Sequence, residues 1–334
     1  MYTAQVRRRL IFVGAAATMA LLLTASAASA QGKWTALAPV PAVGTGVEGM
    51  QVGRIGNLIV AAYGLDEGVG DTNTTRIYDI DADAWSTGTS APLPERSEGT
   101  AVTKGGALYA IGGRGLGAVL ADVDRYRPAT DTWESLTDMP TPRAGLAAAV
   151  VGRAIYVIGG RNSPGGPCSQ GPGGELSTVE RFDIPTQTWS TVAPLLSARS
   201  DLGAIAHGGK IYVFGGCHVN PDFSITFLSD VDVYNPRTDT WSTAPTDLPT
   251  ARAGMYGVGR KGNRIYVIGG WAGGGPLDTN EFYKVAGDSW GSAAPMLTAR
   301  AEMGVASRGG RIYTVGGGLP AFGNSSNANE VFKP

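Results

Sequence analysis

Histidine and cysteine, two of the commonest metal-binding side chains, are nearly missing from this chain. Its 334 residues include only two of each. A stretch that we interpret as a strand separates His207 from His218, which gives about 15 Å between them at ~3.3 Å per residue. The two histidines are therefore not expected to bind one ion, and we predict no metal site and no cofactor.

Catalytic motifs are missing as well. The sequence has no calcium-binding loop of the Asp-x-Asp-x-Asp-Gly type, no Gly-x-Ser-x-Gly nucleophile motif and no phosphate-binding loop. Glycine runs such as Gly273-Gly274-Gly275 fit turns instead. We therefore favour a binding function over an enzymatic one.

Long hydrophobic runs do not occur after residue 30. Residues 1–30 resemble a secretory signal peptide, with basic Arg7-Arg8-Arg9, an apolar run from Leu10 to Leu23, and small residues at Ala28-Ser29-Ala30. An uncleaved anchor is the alternative, but the run is short for a membrane span. We predict an exported protein, periplasmic or extracellular, whose mature chain is residues 31–334 with no membrane span.

Charge of either sign is scarce, at 16% of residues. Residues 31–334 keep 24 basic and 28 acidic residues, a net charge of −4. This mild acidity argues against a nucleic-acid partner. The 50 glycines suit many short strands joined by tight turns.

A repeat of roughly 50 residues is what the sequence does contain. One tryptophan marks each of six copies: Trp34, Trp85, Trp133, Trp189, Trp241 and Trp290. Each unit reads as four strands. Strand a follows an arginine, strand b ends in paired glycines such as Gly159-Gly160, strand c carries Tyr or Phe, and strand d starts at the tryptophan. The tryptophans are interpreted as filling between neighbouring repeats.

These glycine pairs, spaced aromatics and tryptophans resemble the Kelch repeat family, over essentially the whole mature chain. The resemblance implies an all-β, six-bladed β-propeller of four-stranded antiparallel blades. The chain ends in a c-type strand at residues 329–332 and begins with an orphan d-type strand at 33–37. We predict that the N-terminal strand closes the ring as one monomeric domain. The first blade is degenerate, because Ala62-Tyr63-Gly64 replaces its glycine pair.

Strand alternation places the b–c loops and the d–a connections on one face of the ring. Candidate ligand-binding residues on this face form two groups. The d–a arginines are Arg96, Arg143, Arg199, Arg252 and Arg300, and the positions two residues later hold Glu98, Gly145, Asp201, Gly254 and Glu302, with Glu48 as the analogue in the first blade. The b–c loops add Arg161 and Trp271, among others.

Two interpretations of this rim stay open. Arginines suit carboxylate or phosphate ligands, and carboxylates suit hydroxyls, amines or cations, which would make the rim a polar ligand site. Alternatively, the arginines and carboxylates neutralise each other as a structural ring. Trp271 follows a glycine pair in a loop, where it could stack on a sugar, anchor a partner or fold back on the loop.

The two cysteines, Cys168 and Cys217, fall in b–c loops of adjacent repeats on the same face. An even pair in an exported protein favours a disulfide, and two free thiols are the alternative. Galactose oxidase has a Kelch-type propeller, but its copper site needs two histidines, two tyrosines and a cysteine crosslinked to tyrosine. That set cannot be built here.

We therefore predict an exported binding module that recognises a glycan, peptide or protein partner on this face. The alternative is a cofactor-free enzyme acting on an acidic sugar, because sialic-acid epimerases also resemble six-bladed Kelch propellers. Such chemistry needs an acid–base pair and an arginine. Glu98, Asp201 or Glu302 with Arg199 or Arg252 are the candidates for those roles. A scaffold without a small ligand is a third reading.

Overall fold

The structure is a computed structural model that describes residues 32–166, 168, 174–319 and 324–334. The predicted signal peptide, residues 1–30, lies outside the described residues. Within those ranges the chain consists of β-strands, turns and loops, and none of it forms a helix of the length and hydrophobicity that a membrane span requires.

In chain order the first eight strands are β1 (Lys33–Ala36), β2 (Val47–Glu48), β3 (Gln51–Ile55), β4 (Leu58–Ala62), β5 (Leu65–Asp66), β6 (Gly70–Asp71), β7 (Thr75–Asp79) and β8 (Ala84–Thr87). The next eight are β9 (Thr100–Lys104), β10 (Ala107–Gly115), β11 (Ala118–Arg127), β12 (Thr132–Ser135), β13 (Ala147–Val151), β14 (Ala154–Ile158), β15 (Val179–Asp183) and β16 (Thr188–Val192). Then follow β17 (Gly203–His207), β18 (Lys210–Phe214), β19 (Cys217–Val219), β20 (Ile225–Phe227), β21 (Val231–Asn235), β22 (Thr240–Thr243), β23 (Gly259–Lys261) and β24 (Arg264–Ile268). The last seven are β25 (Trp271–Ala272), β26 (Gly275–Pro276), β27 (Asn280–Lys284), β28 (Ser289–Ser292), β29 (Gly304–Arg308), β30 (Arg311–Val315) and β31 (Asn329–Lys333).

These strands form six four-stranded antiparallel sheets, one for each sequence repeat. In order from strand a to strand d, blades 1 to 6 are β3-β4-β7-β8, β9-β10-β11-β12, β13-β14-β15-β16, β17-β18-β21-β22, β23-β24-β27-β28 and β29-β30-β31-β1. The short strands β2, β5, β6, β19, β20, β25 and β26 lie in connections and b–c loops. The six strands a surround a central channel, and this confirms the predicted propeller.

The N-terminal strand closes the ring, as predicted. β1 pairs antiparallel with β31, and Trp34 lies opposite Phe332 with their ring centroids 5.1 Å apart. The Trp34 indole N–H also donates to the carbonyl oxygen of Ala294, at 2.8 Å. Both ends of the chain are therefore held in one sheet, which removes an exposed sheet edge.

The six repeat tryptophans pack between neighbouring blades, as predicted. In blade 3, Trp189 packs on Phe182 of strand c, with centroids 4.9 Å apart, and donates to the carbonyl oxygen of Thr137 in the preceding connection. Equivalent pairs of ring contact and indole hydrogen bond occur at Trp34, Trp85, Trp133, Trp241 and Trp290. Each tryptophan therefore joins its own blade to the previous one.

In blades 3 to 6 strand b ends just before the glycine pair, whereas in blade 2 the pair lies within β10 at a shift of register. The second glycine of the pair has no room for a side chain. Gly160 has a φ of +95°, and a Cβ at this position would lie 2.7 Å from the carbonyl oxygen of Ala144. In blade 1 the equivalent of the first glycine is Tyr63, also in the left-handed region at φ 60°. Its ring packs under the Arg96 guanidinium, 3.9 Å from the centroid, so the degenerate repeat keeps the backbone shape with a different side chain.

Candidate binding site at the channel mouth

The b–c loops and d–a connections meet on one face of the ring, which we call the loop face. Backbone bridges join the residue after each glycine pair to the residue after each d–a arginine. These bridges are Ser97–Arg114, Ala144–Arg161, Ser200–Cys217, Ala253–Trp271 and Ala301–Gly318. The backbone thus fixes the positions from which side chains reach the channel mouth.

The five d–a arginines lie inside the blades, away from the channel mouth. Each is at most 1% exposed, and each pairs with a carboxylate on strand c of its own blade: Arg96 with Asp124, Arg143 with Glu180, Arg199 with Asp232, Arg252 with Glu281 and Arg300 with Glu330. In blade 5, Arg252 Nη1 also donates to the Gly269 carbonyl oxygen, at 3.0 Å. These arginines tie the end of strand b to strand c.

This placement differs from the expected arginine rim. A guanidinium that is buried and paired with a carboxylate inside a blade is not accessible to a ligand in solution. Arg96, Arg143, Arg199, Arg252 and Arg300 are therefore withdrawn from the candidate site. The arginines and carboxylates do neutralise each other, but their partners are strand-c carboxylates that the sequence reasoning did not select.

Blade 1 carries the same ion pair with the charges exchanged. It has no d–a arginine, and Arg76 occupies the strand-c position, two residues before the aromatic, that is acidic in the other five blades. Arg76 Nη2 lies 3.1 Å from Oδ2 of Asp66 in the b–c loop. The requirement met in all six blades is thus a buried opposite-charge pair.

The positions two residues after the arginines do reach the channel. They form a belt of backbone hydrogen bonds in which the amide of one blade donates to a carbonyl oxygen of its neighbour. The bonds run from Gly49 to Glu302, Glu98 to Gly49, Gly145 to Glu98, Asp201 to Gly145, Met255 to Asp201 and Glu302 to Gly254. Gly49 is therefore the blade 1 member of the belt, and the assignment of Glu48 to that position is off by one residue.

Arg161 and Asp201 lie buried below the mouth. Arg161 Nη1 is 2.9 Å from Asp201 Oδ1, and Arg161 Nη2 pairs with Glu98. Asp201 also accepts hydrogen bonds from the Ser200 hydroxyl and the Tyr256 hydroxyl, at 2.7 and 3.1 Å. Asp201 is fully buried, and both of its carboxylate oxygens already accept hydrogen bonds. It therefore holds neighbouring side chains in place and is not exposed to a ligand.

The predicted disulfide is present in the structure between Cys168 and Cys217, whose Cα atoms are 6.0 Å apart. It packs on Asp201, which also accepts a hydrogen bond from the Cys168 amide at 3.2 Å. The two sulfurs and the Asp201 carboxylate form a cluster of the residue types that bind metals. Because the sulfurs are bonded to each other, they are not thiolate ligands.

Above this support lies a cavity of about 310 Å³, which we call the mouth cavity. Glu48, Glu98, Glu302 and Arg114 line it with charge. Its apolar walls are Ile225, Phe227, Trp271 and Leu319. Arg114 Nε donates to Glu98 Oε1, so the one guanidinium among the described lining residues is already shared with a carboxylate.

Two of the three glutamates that line the mouth cavity, Glu48 and Glu302, are hard to ionise together. Burial raises the pKa of Glu48 to about 6, with Ser325 and the positive charge of Arg114 acting in the opposite direction. Burial, and then the charges of Glu48 and Asp201, raise the pKa of Glu302 well above its usual value. Neighbouring carboxyl groups with raised pKa values are typical of functional sites. A ligand that brings positive charge or hydrogen-bond donors would stabilise their ionised forms.

Exposed hydrophobic side chains are confined to the same face. Among the described residues, the large exposed ones are Val43, Val69, Leu93, Leu116, Leu196, Phe223, Ile225 and Leu297. All eight lie in b–c loops or d–a connections, and the described a–b and c–d turns on the opposite face expose none.

Comparison with known proteins places this architecture in a family. The model of the KLHDC2/KLHL20/DRC7 Kelch-repeats domain matches residues 137–317, more than half of the chain, and the Kelch motif matches residues 95–140. The chain belongs to the Kelch-repeat family.

The matching Kelch relatives include Kelch-like protein 25 of Xenopus tropicalis, 29% identical over 72% of this chain and 40% of that protein. Kelch-like protein 15 of Danio rerio is 31% identical over 58% of this chain and 33% of that protein. The chain thus spans two fifths or less of the length of these relatives. The solved structure of YjhT is 17% identical and superposes with a TM-score of 0.73, covering 88% of this chain and 96% of YjhT. That likeness shows the fold alone.

Tyr256 contributes to this Kelch-repeat site and was not predicted from the sequence. Glu48 was predicted there only as the first-blade analogue of the channel positions. Arg114 falls in a b–c loop of the predicted face. A sequence signal existed for Arg114, because it follows a glycine pair as Arg161 and Trp271 do. Tyr256 had no signal, since its contact with Asp201 joins neighbouring blades.

Proposed function

We propose that this Kelch-repeat propeller is a binding module whose loop face engages a protein or peptide partner. The observation that carries the proposal is the confinement of all eight exposed large hydrophobic side chains to that face. A monomeric protein gains nothing from placing its exposed apolar side chains on one face, whereas a partner that covers them removes apolar surface from water.

The mouth cavity is the anchor point of this proposed interface. Its lining combines carboxyl groups with Trp271 and Phe227, so it suits a neutral or cationic group with an apolar stem better than an anion. We infer that a lysine or arginine side chain of the partner, or a hydroxyl-bearing group, enters the cavity. An acidic peptide is disfavoured because the d–a arginines are buried.

Location follows as part of the same proposal. A disulfide persists where the surroundings are oxidising. The Cys168–Cys217 bond and the signal-like residues 1–30 together support action outside the cytoplasm, as a monomer in the periplasm or the extracellular space.

Selection of peptides from a random displayed library on immobilised residues 31–334 tests the proposal. The affinity of the selected peptide is then measured for Leu116→Asp and Phe223→Asp on the loop face, and for Thr130→Asp on the opposite face. We expect each loop-face variant to weaken binding at least ~10-fold and Thr130→Asp to have no effect. Peptides that bind all variants equally would overturn it.

Catalysis on an acidic sugar is a second candidate, favoured by one observation. Glu48 and Glu302 form a carboxyl pair with raised pKa values beside Arg114, which could supply an acid, a base and a carboxylate contact. The earlier candidates Arg199 and Arg252 cannot contribute, since both are buried in ion pairs. Proton NMR of sugar acids with the protein would show epimer exchange that Glu302→Gln abolishes. A glycan ligand without reaction would instead raise the melting temperature.

A further inference from the structure

The opposite face of the ring has a separate cavity of about 280 Å³ where the strands a of blades 1, 5 and 6 end. Arg54 on β3, Arg260 and Lys261 on β23, and Ser307 and Arg308 on β29 line it. Backbone of the a–b turns at Gly262, Gly309 and Gly310 completes the wall. We call this cavity the basic pocket.

Two of the four cationic side chains of the basic pocket, Arg54 and Arg260, form no salt bridge with any described side chain. The four cationic side chains face no carboxylate among the described lining residues. Of the four, only Arg308 forms a salt bridge with a described side chain, Asp81, at 3.0 Å. Arg54 donates to the carbonyl oxygen of Gly56, a neutral acceptor that leaves the charge of the guanidinium in place. Lys261 donates to a main-chain oxygen of Pro334, the last residue of the sequence, at 2.7 Å.

The arrangement is held across blades by the backbone. The Arg260 amide donates to the Ser307 hydroxyl at 2.9 Å, which joins blade 5 to blade 6 inside the pocket. Arg260 Nη1 lies 3.4 Å from Nδ1 of His207. Burial, and then the charge of Arg260, lower the pKa of His207, as expected where positive charge lacks a counter-charge.

We propose that the basic pocket binds a phosphate or sulfate ester group of a small ligand. The guanidinium groups of Arg54 and Arg260 supply several directional donors, and guanidinium forks match the paired oxygens of a tetrahedral oxyanion. The pocket volume fits one such group with a single sugar ring, whereas a nucleic acid would need a longer track of positive charge.

Calorimetric titration of residues 31–334 tests this inference, using inorganic phosphate, glucose 6-phosphate, glucose 6-sulfate and glucose at low ionic strength. The variants are Arg54→Gln and Arg260→Gln, and the matched control is Arg237→Gln, an exposed arginine of a c–d turn on the same face. We expect one saturable site, at least 5-fold weaker binding in each pocket variant, and less than 2-fold change in Arg237→Gln. Glucose should not bind.

Comparison of the four ligands distinguishes a site for the free anion from a site for a sugar ester. Equal affinity for inorganic phosphate and glucose 6-phosphate supports recognition of the oxyanion alone, while tighter binding of glucose 6-phosphate or glucose 6-sulfate supports a sugar ester. Absence of saturation, or equal weakening in Arg237→Gln, would mean diffuse attraction and would overturn the proposal.

NMR titration of His207 gives a second readout. A bound anion offsets the charge of Arg260, so the pKa of His207 should rise when ligand is present, and should not respond in Arg260→Gln. An unchanged His207 pKa at saturating ligand would place the anion elsewhere and overturn the assignment. Because Leu116→Asp lies on the other face, it should leave phosphate binding intact, which keeps this test separate from that of the proposed function.

Discussion

Arg161 of blade 3 donates to Asp201 of blade 4, with 2.9 Å between Nη1 and Oδ1, directly beneath the mouth cavity. Both side chains are fully buried. The Cys168–Cys217 disulfide packs on the same carboxylate. The floor of the mouth cavity therefore combines an inter-blade ion pair with an inter-blade covalent link.

Removal of the disulfide should destabilise the protein measurably. The double variant Cys168→Ser, Cys217→Ser loses a crosslink over 49 residues of sequence, and such a link typically contributes ~2–4 kcal/mol by restricting the unfolded chain. Urea unfolding without reductant measures the difference. Reductant should lower the stability of the original protein and leave that of the double variant unchanged; equal stability of the two proteins without reductant would count against the bond.

The d–a arginines should be needed for stability, because each is buried in an ion pair inside its blade. Arg252→Met leaves the Glu281 carboxylate buried without its partner, and breaking a buried pair from one side costs about 3–5 kcal/mol. The control is Arg181→Met, whose partly exposed pair with Asp183 is expected to contribute ~0–1 kcal/mol. Urea unfolding compares the free energies of unfolding of the two variants. A similar small loss in both would show that the buried pair of Arg252 with Glu281 contributes little to stability.

Ring closure predicts a large effect at the N-terminal strand. Trp34→Ala removes the ring contact with Phe332 and the hydrogen bond to Ala294, and truncation of a buried aromatic costs about 3–5 kcal/mol. Deletion of residues up to 37 should in addition expose the edge of β31 and promote association of chains, which light scattering detects. A deletion ending at residue 31 is the control and should behave as residues 31–334 do. A monomeric, stable product of the longer deletion would contradict closure by β1.

The mouth cavity should make stability depend on pH. The pKa of Glu48 is raised from 4.5 to about 6 on folding, so between these values the folded protein holds a proton that the unfolded chain has released. Stability contributed by this group therefore falls as the pH rises through that window. One pKa unit is worth about 1.4 kcal/mol.

Glu48→Gln should consequently raise the free energy of unfolding by about 1–2 kcal/mol near pH 7, with the gain disappearing below about pH 4.5. It also removes a charge that raises the pKa of Glu302. Urea unfolding at both pH values measures the change, and Glu134→Gln, at an exposed carboxylate, is the control. A gain of equal size at low pH would mean that the effect is not electrostatic.

Much of the fold could be predicted from the sequence because it repeats. The tryptophan spacing and the glycine pairs report local requirements: an inter-blade filler ring, and a backbone turn without room for Cβ. The tryptophan recurs in all six blades and the glycine pair in five of them, which was enough to predict the strand order, the six blades and the closing strand. The disulfide between Cys168 and Cys217 was also predicted, because the alternation of strand direction places both residues on one face.

The candidate site was predicted only in part. The loop face was identified correctly as the place where the b–c loops meet the d–a connections. The direction of each charged side chain was not, because arginines at equivalent positions could point to the channel or into the blade with the same sequence. The acidic residue two positions before each strand-c aromatic is a signal that would have given their partners.

The sequence by itself determined the repeat, the number of blades and the face on which loops gather, since these follow from local periodicity and strand alternation. Only the tertiary structure decided which charges are used up in buried pairs and which remain for a ligand. In the structure the five arginines expected to bind a ligand instead join the end of strand b to strand c. Glu48 and Glu302 line the mouth cavity, and Arg54 and Arg260 line the basic pocket on the opposite face. The physical reason is that a buried charge must find its counter-charge within a few ångströms, and those distances exist only once the blades have closed.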